Sequence, residues 1–290
     1  MSETAIDEAV AAGRAFADLS GWRKIAVSGS DAVEWLNDLV SVEISDLRVE
    51  EARRSLLLSP TGQIRAEFTV AKPGGDLLLL QDPAQPASVH SLLAPYVLSA
   101  DVRMDDRSAE LALFAFPRRA GFPDAPGTMW SAPSCTGTGV DVISRASDHN
   151  SLLRAFSDSY TLIDSDDLEA WRIAAGIPRF GVDGRAEDLP DEAGFAKAVS
   201  YDKGCYLGQE AVAKVRNLGH PRRLVLHLAA DDPVSGGEVV EVEGEPAGEV
   251  TSASERNRGW WLLARINWAA REGPFHTPRG VRLTPVPHRP

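Results

Sequence analysis

Cysteine is almost absent from this chain, which has two, Cys135 and Cys205, among 290 residues. Two thiols cannot build a disulfide framework or a four-cysteine metal site, and they fit a reducing compartment. Long apolar runs are missing too: the longest aliphatic run, Leu77 to Leu80, is far too short to cross a bilayer. The first residues, up to Ala17, lack a basic stretch and an apolar core and carry Glu3, Asp7 and Glu8, so no signal peptide is expected. The histidines, at 90, 149, 220, 227, 276 and 288, show no metal-ligand spacing. Neither a glycine-rich phosphate loop nor a nucleophile elbow occurs. The expectation is a cytoplasmic protein with no metal and no membrane span.

Positive charge is in deficit. Lys plus Arg number 30 against 42 Asp plus Glu, a net charge of −12. Such a chain gains little from phosphate backbones or anionic lipid, so direct nucleic-acid or membrane binding is not expected. With 43% hydrophobic and 25% charged residues the composition is that of a folded protein. Its length suggests two domains, or one large intertwined unit with a small appendage.

The hydrophobic pattern alternates between helix and strand. Ala and Val spaced three and four apart predict a helix at the start, followed by a strand at Lys24–Val27. Ser30 or Asp31 would cap a helix through Val33, Trp35, Leu36 and Leu39. Strands are expected at Arg54–Leu58, Ile64–Ala71 and Leu77–Leu80, with a turn at Pro60-Thr61-Gly62, and a helix at Ala87–Tyr96. This order argues for an α+β unit with an antiparallel sheet. Arg118–Thr138 reads as an irregular connection, Val140–Ile143 as a strand, and Asp166–Ala175 as a helix stopped by Gly176 and Pro178. Beyond Arg222 short strands predominate: 223–228, 238–242, 248–253, 260–266 and 281–285, the pattern of a small β-barrel. The expected division is 1–220 and 221–290.

The most unusual stretch is Lys203-Gly204-Cys205-Tyr206-Leu207-Gly208-Gln209-Glu210. Its two glycines would permit backbone angles or close approaches that a side chain forbids. A lysine beside a thiol would stabilise the thiolate, although a lone cysteine is as readily a small buried hydrophobe. Gln209 and Glu210 would be local organisers or the first turn of a solvated helix.

This octapeptide resembles the Lys-Gly-Cys-Tyr-x-Gly-Gln-Glu signature of the YgfZ family of folate-binding proteins, which is related to the glycine-cleavage T-protein, an aminomethyltransferase. Supporting similarities lie at 18–20 with 27–32, at Ser59 to Ile64, at Arg172 to Gly181, at Leu189 to Ala193 and at Gly248 to Ala253. The resemblance implies an α+β, three-lobed, aminomethyltransferase-like fold with a C-terminal β-barrel. It also implies tetrahydrofolate or another reduced folate as ligand. Iron–sulfur proteins or their assembly machinery would be the clients, with indirect effects on tRNA modification through an iron–sulfur enzyme. Cys205 would be the functional thiol and Lys203 its electrostatic partner. In aminomethyltransferases Gly-x-Ile is followed by a pair of aspartates; here Gly62-Gln63-Ile64 is followed by Arg65 and Ala66, with Glu67 one position on. Aminomethyl transfer is therefore the alternative, and a non-catalytic scaffold a third reading.

Between Arg172 and Arg223 nine basic residues face seven acidic ones, a local excess of two that could focus a folate tail. Arg172 is expected as the carboxylate clamp, against the alternative of an ion pair with Asp166 or Glu169. Trp171 could stack on a pterin, against the alternative of core packing.

Overall fold

The computed structural model describes residues 3–118, 129–133, 139–256 and 259–287. Cys135, His288 and most of the connection expected at 118–138 lie outside them. The chain forms two compact units, Met1–Leu168 with Lys197–Gln209, and Glu169–Ala196 with Glu210–Pro290.

The first unit opens with α1 (Glu3–Ala11), β1 (Ala15–Asp18), β2 (Arg23–Ser28) and α2 (Ala32–Asn37). Then come β3 (Ala52–Leu58), β4 (Ile64–Ala71), β5 (Leu77–Gln81), α3 (Val89–Leu93) and β6 (Arg103–Asp106). It continues with β7 (Leu111–Phe116), β8 (Met129–Pro133), β9 (Val140–Arg145), α4 (His149–Ser157), β10 (Thr161–Ile163) and the start of α5 (Ser165–Ala174). One sheet has the order β3-β4-β5-β2-β6 and is antiparallel throughout, as the alternation predicts. Ile25, Val27, Phe68, Val70, Leu77 and Leu79 from its strands pack against Leu36 of α2 and Leu93 of α3. The other sheet, β10-β1-β7-β9-β8, contains one parallel pair, β1 with β10. Phe16, Phe114, Phe116 and Phe156 join rings at its core, with centroid separations of 5.2 to 6.3 Å. Strand β8 lies inside the stretch expected to be irregular. The capping expectation for α2 also changes: Asp31 makes no side-chain cap, and its Oδ2 accepts from the backbone N–H of Asp101 at 2.8 Å.

In the second unit β11 (Arg223–Ala230), β12 (Val239–Val242), β13 (Glu245–Arg256), β14 (Gly259–Asn267), β15 (Phe275–His276) and β16 (Arg282–Pro285) close a barrel. Leu228, Val240, Val250, Leu262, Ile266 and Phe275 fill its interior. The barrel starts where the strand pattern begins, and its unit also takes in Glu169–Ala196 and the residues from Glu210 onward. Hydrogen bonds and ion pairs join Glu169–Ala196 to the barrel. Asp183 accepts from Thr251 Oγ1 (2.6 Å) and Ser252 Oγ (2.7 Å) on β13. Asp188 forms a two-pronged pair with Arg265 of β14, and Glu192 takes the backbone N–H and Nε of Arg222, each at 3.0 Å.

Asp188 and Arg265 are both almost completely buried, so removing one partner strands a charge. Asp188→Ala is expected to lower unfolding free energy by about 3–5 kcal/mol. Glu51→Gln, which breaks the exposed Arg48–Glu51 pair, should cost less than about 1 kcal/mol. Denaturant midpoints of the two variants check the contrast.

Candidate functional site

The signature segment lies in the first unit, and its lysine fixes it there. Lys203 is buried, and its Nζ donates to the backbone carbonyls of Asn37 (2.6 Å), Val40 (2.8 Å) and Val42 (3.0 Å). The loop after α2 can offer these oxygens because the chain there leaves the helix, where carbonyls have no intrahelical partner. Three carbonyls match the three protons of an ammonium. With these protons committed, Lys203 anchors the segment rather than donating a hydrogen bond to Cys205. Burial pushes Lys203 down to about 8, against the opposing pull of Glu43 and Asp38. The Tyr206 ring, also buried, lies 5.2 Å from the ammonium.

Further bonds sew the approach to the signature onto the same loop. Ser41 Oγ donates to Ala198 O at 2.6 Å, the Ser200 N–H to Ser41 O at 2.9 Å, and the Leu207 N–H to Asp38 O at 3.1 Å. Gly208 has φ of +84°, and a Cβ there would stand 2.5 Å from Ser59 O and 3.1 Å from Gly62 Cα. Two separated sequence motifs, the Ser59–Gln63 turn and the signature, thus touch through a position that requires glycine. Gly204 differs from expectation: its φ is not positive, and a Cβ would meet nothing within 4 Å. Between these fixed points Cys205 is free and exposed. Gln209 and exposed Glu210 form the first turn of α6 (Gln209–Leu218), and the Gln209 amide reaches Lys203 O only at 3.5 Å.

The residues expected to hold a folate are placed differently. Arg172 is buried in the second unit. Its Nε and Nη2 donate to Glu169, its Nη1 to Ile177 O and Asp183, and its Nη2 also to Ser252. All five guanidinium N–H groups are used, so none is left for a ligand carboxylate. Asp183 and Glu169 hold its pKa above the ordinary arginine value despite burial. The ion-pair alternative with Glu169 is the arrangement found, and Asp166 takes no part in it. Trp171 is buried, the core alternative. Glu67, in the first unit, is buried and bonded by Arg54 Nε at 2.6 Å, the two being diagonal neighbours across β3 and β4. The basic excess between 172 and 223 is likewise engaged: Arg172, Arg185, Lys203 and Arg222 all have acidic or carbonyl partners. Sequence reasoning missed the carbonyl loop at Asn37–Val42. The sequence pattern continues the helix through Leu39, whereas α2 ends at Asn37, and no residue type there marks a cation cage. Among the described residues no group of three or more His, Cys, Asp or Glu could hold a metal ion, and no helix is long and apolar enough to cross a membrane.

Two outcomes follow from this geometry. Gly208→Ala should cost about 1–3 kcal/mol of stability, from strain at positive φ and the close carbonyl, while Gly204→Ala should be nearly neutral; thermal midpoints distinguish them. For Lys203 the folded chain releases the proton near pH 8, whereas the unfolded chain keeps it to the ordinary value of 10.5. Stability from this group therefore rises with pH between those values. Relative to Lys203→Met, the wild type should gain up to about 1.4 kcal/mol per pH unit there, measured by urea unfolding at a series of pH values.

Residues 3–117 match the GCVT N-terminal domain family. The mitochondrial iron–sulfur cluster assembly factor IBA57 of Mus musculus is 30% identical over 121 residues, 39% of this chain and 33% of its own length. The tRNA-modifying protein YgfZ of Pectobacterium carotovorum is 32% identical over 126 residues, 40% of this chain and 38% of its own. The chain therefore spans about a third of the first relative's length and 38% of the second's. The glycine cleavage system aminomethyltransferase T of Bartonella henselae superposes with a TM-score of 0.81 at 18% identity, covering 97% of this chain and 88% of that one. The fold is thus aminomethyltransferase-like, as the signature implies. Residues 3–117 thus match the GCVT N-terminal domain, and the chain is similar to YgfZ proteins and, in fold, to the aminomethyltransferases.

Proposed function

We propose that this protein binds a reduced folate and supports the assembly or repair of iron–sulfur proteins, with Cys205 as its functional thiol. The observation that carries the reading is the presentation of Cys205. An exposed cysteine sits between two positions, Lys203 and Gly208, that the fold holds rigidly. A buried structural cysteine would need no such mounting, and a thiol must be accessible to exchange with a partner's sulfur. The names of the mouse and bacterial relatives supply the process: iron–sulfur cluster assembly for one and tRNA modification for the other. Effects on tRNA would be indirect, through an iron–sulfur enzyme, since a net charge of −12 disfavours nucleic acid.

Folate enters through the family resemblance. Arg172, Trp171 and Glu67 do not fit it as contacts, because their polar atoms are committed or their rings buried, and no step is assigned to it. Aminomethyl transfer is the weaker reading. It calls for a carboxylate at the reaction centre, and Glu67 is buried against Arg54.

Cys205→Ser in a strain lacking the gene is expected to abolish rescue of iron–sulfur enzyme activity while leaving the thermal midpoint unchanged. Full rescue would remove the thiol from the proposal. Titration calorimetry with tetrahydrofolate and 5-formyltetrahydrofolate is expected to show saturable binding of at least one; no binding of either would remove the ligand and leave a protein-docking function.

A further inference from the structure

We infer that the edge of α2 and the loop 94–101 beside it form a docking surface for a protein partner with a basic face, and that docking there delivers the partner to Cys205. The inference rests on the reading of Cys205 as the functional thiol. Leu98 is 86% exposed and Tyr96 36%, with Ala94 and Pro95 also exposed between α3 and β6. Leaving such side chains in water forgoes stabilisation on the order of 25 cal/mol per Å², and an apolar patch with a polar rim is the mark of an interaction site. The loop is also tied down. Trp35 Nε1 donates to Tyr96 O at 3.0 Å, and Asp101 is bonded to Ser30 Oγ at 2.9 Å and, through its N–H, to Asp31 at 2.8 Å. The apolar tip is thus displayed on a fixed frame.

The rim gives the partner's chemistry. Asp31, Glu34, Asp38 and Asp101 are all exposed along this edge, and Arg103 is the cation that faces Asp101. Such a border repels phosphate backbones and anionic lipid, which separates this patch from a membrane-inserting loop. It complements a protein surface that carries Lys or Arg around an apolar anchor. Continuity with the thiol comes from α2 itself. Its six residues span about 9 Å. Its far end meets the signature, where Asn37 O accepts from Lys203 and Asp38 O from the Leu207 N–H. Leu207 packs against the same apolar cluster as Trp35. A partner face of ordinary size, about 800 Å², covers both ends.

The test uses the full chain carrying Cys135→Ser, so that Cys205 is the sole thiol. Three activated disulfides are the probes: a tryptophan-containing Arg/Lys peptide with a 2-thiopyridyl cysteine, its Asp/Glu counterpart, and uncharged 2-hydroxyethyl 2-pyridyl disulfide. In each case the Cys205 thiolate attacks the probe sulfur, a mixed disulfide forms and pyridine-2-thione leaves, giving an absorbance readout. The basic peptide should react at least about tenfold faster than the acidic one at low ionic strength, with the ratio falling towards one in high salt. Leu98→Ser combined with Glu34→Gln and Asp101→Asn should reduce the ratio below about threefold and leave the rate with the uncharged probe unchanged. A ratio near one in the parent, or one that survives the triple substitution, overturns the docking surface while the thiol reading stands. A Cys205 that reacts with none of the three probes overturns both.

Discussion

The bond set between one ammonium and three carbonyls is the contact on which this site depends. Lys203 is a cation taken out of water, which is tolerable only where acceptors replace the lost hydration. The loop Asn37–Val42 supplies them, from a chain segment some 160 residues earlier in sequence. Three acceptors are backbone oxygens, set by the path of the loop, and the Asn37 side-chain Oδ1 adds a longer contact at 3.2 Å. That path is itself fixed by the core below it, where Leu36 and Val40 are completely buried. The lysine therefore couples the folding of the α2 region to the position of Cys205 two residues on. Gly208 closes the other side by letting the chain pass within contact distance of the β3–β4 turn.

The second unit applies the same rule with side-chain acceptors. Arg172 and Arg265 are buried, and each is met by carboxylates, hydroxyls or carbonyls. Single buried pairs are poor sources of net stability, but their loss is costly, so they specify which segments lie together. Here Asp183, Asp188 and Glu192, within ten residues of one another, each address a different position of the barrel sequence: Thr251 and Ser252, Arg265, and Arg222. This explains why a segment with little regular structure belongs to the barrel's unit.

Much of the fold was legible because hydrophobic periodicity reports burial directly. Strands β3, β4, β5, β9 and most of the barrel begin or end within a few residues of the positions that alternation marks. What escaped were elements without alternation. Leu111–Phe116 is buried at every position and reads equally as part of a helix, and Phe275–His276 is too short to register a period. The side-chain pairs that join Asp183, Asp188 and Glu192 to the barrel strands link distant residues and leave no local trace. The candidate site divides in the same way. The signature was recognisable as a unit, but the roles within it were not, since proximity of Lys203 to Cys205 in sequence says nothing of which way an ammonium on a four-carbon stem will turn. Arg172 shows the converse. Its bidentate geometry was rightly seen as suited to a carboxylate, and the carboxylates it found were the protein's own.

The signature holds a buried anchor and an exposed thiol within eight residues. A lysine whose charge is spent on carbonyls cannot also serve as a hydrogen-bond donor to the thiolate next door, so selectivity at Cys205 has to come from what approaches it. The exposed groups nearby in the chain and across the loop, Asp202, Asp38 and, half-buried, Glu43, are acidic. Their field disfavours a free anionic thiol arriving by diffusion and favours a cationic surface. An exposed sulfur on a rigid mount, bordered by carboxylates, is therefore better suited to exchange with one docked macromolecule than with the small anions of its surroundings. The cation of the signature makes this possible by being buried: had Lys203 stayed in solvent beside Cys205, it would have drawn the anions that the acidic border turns away.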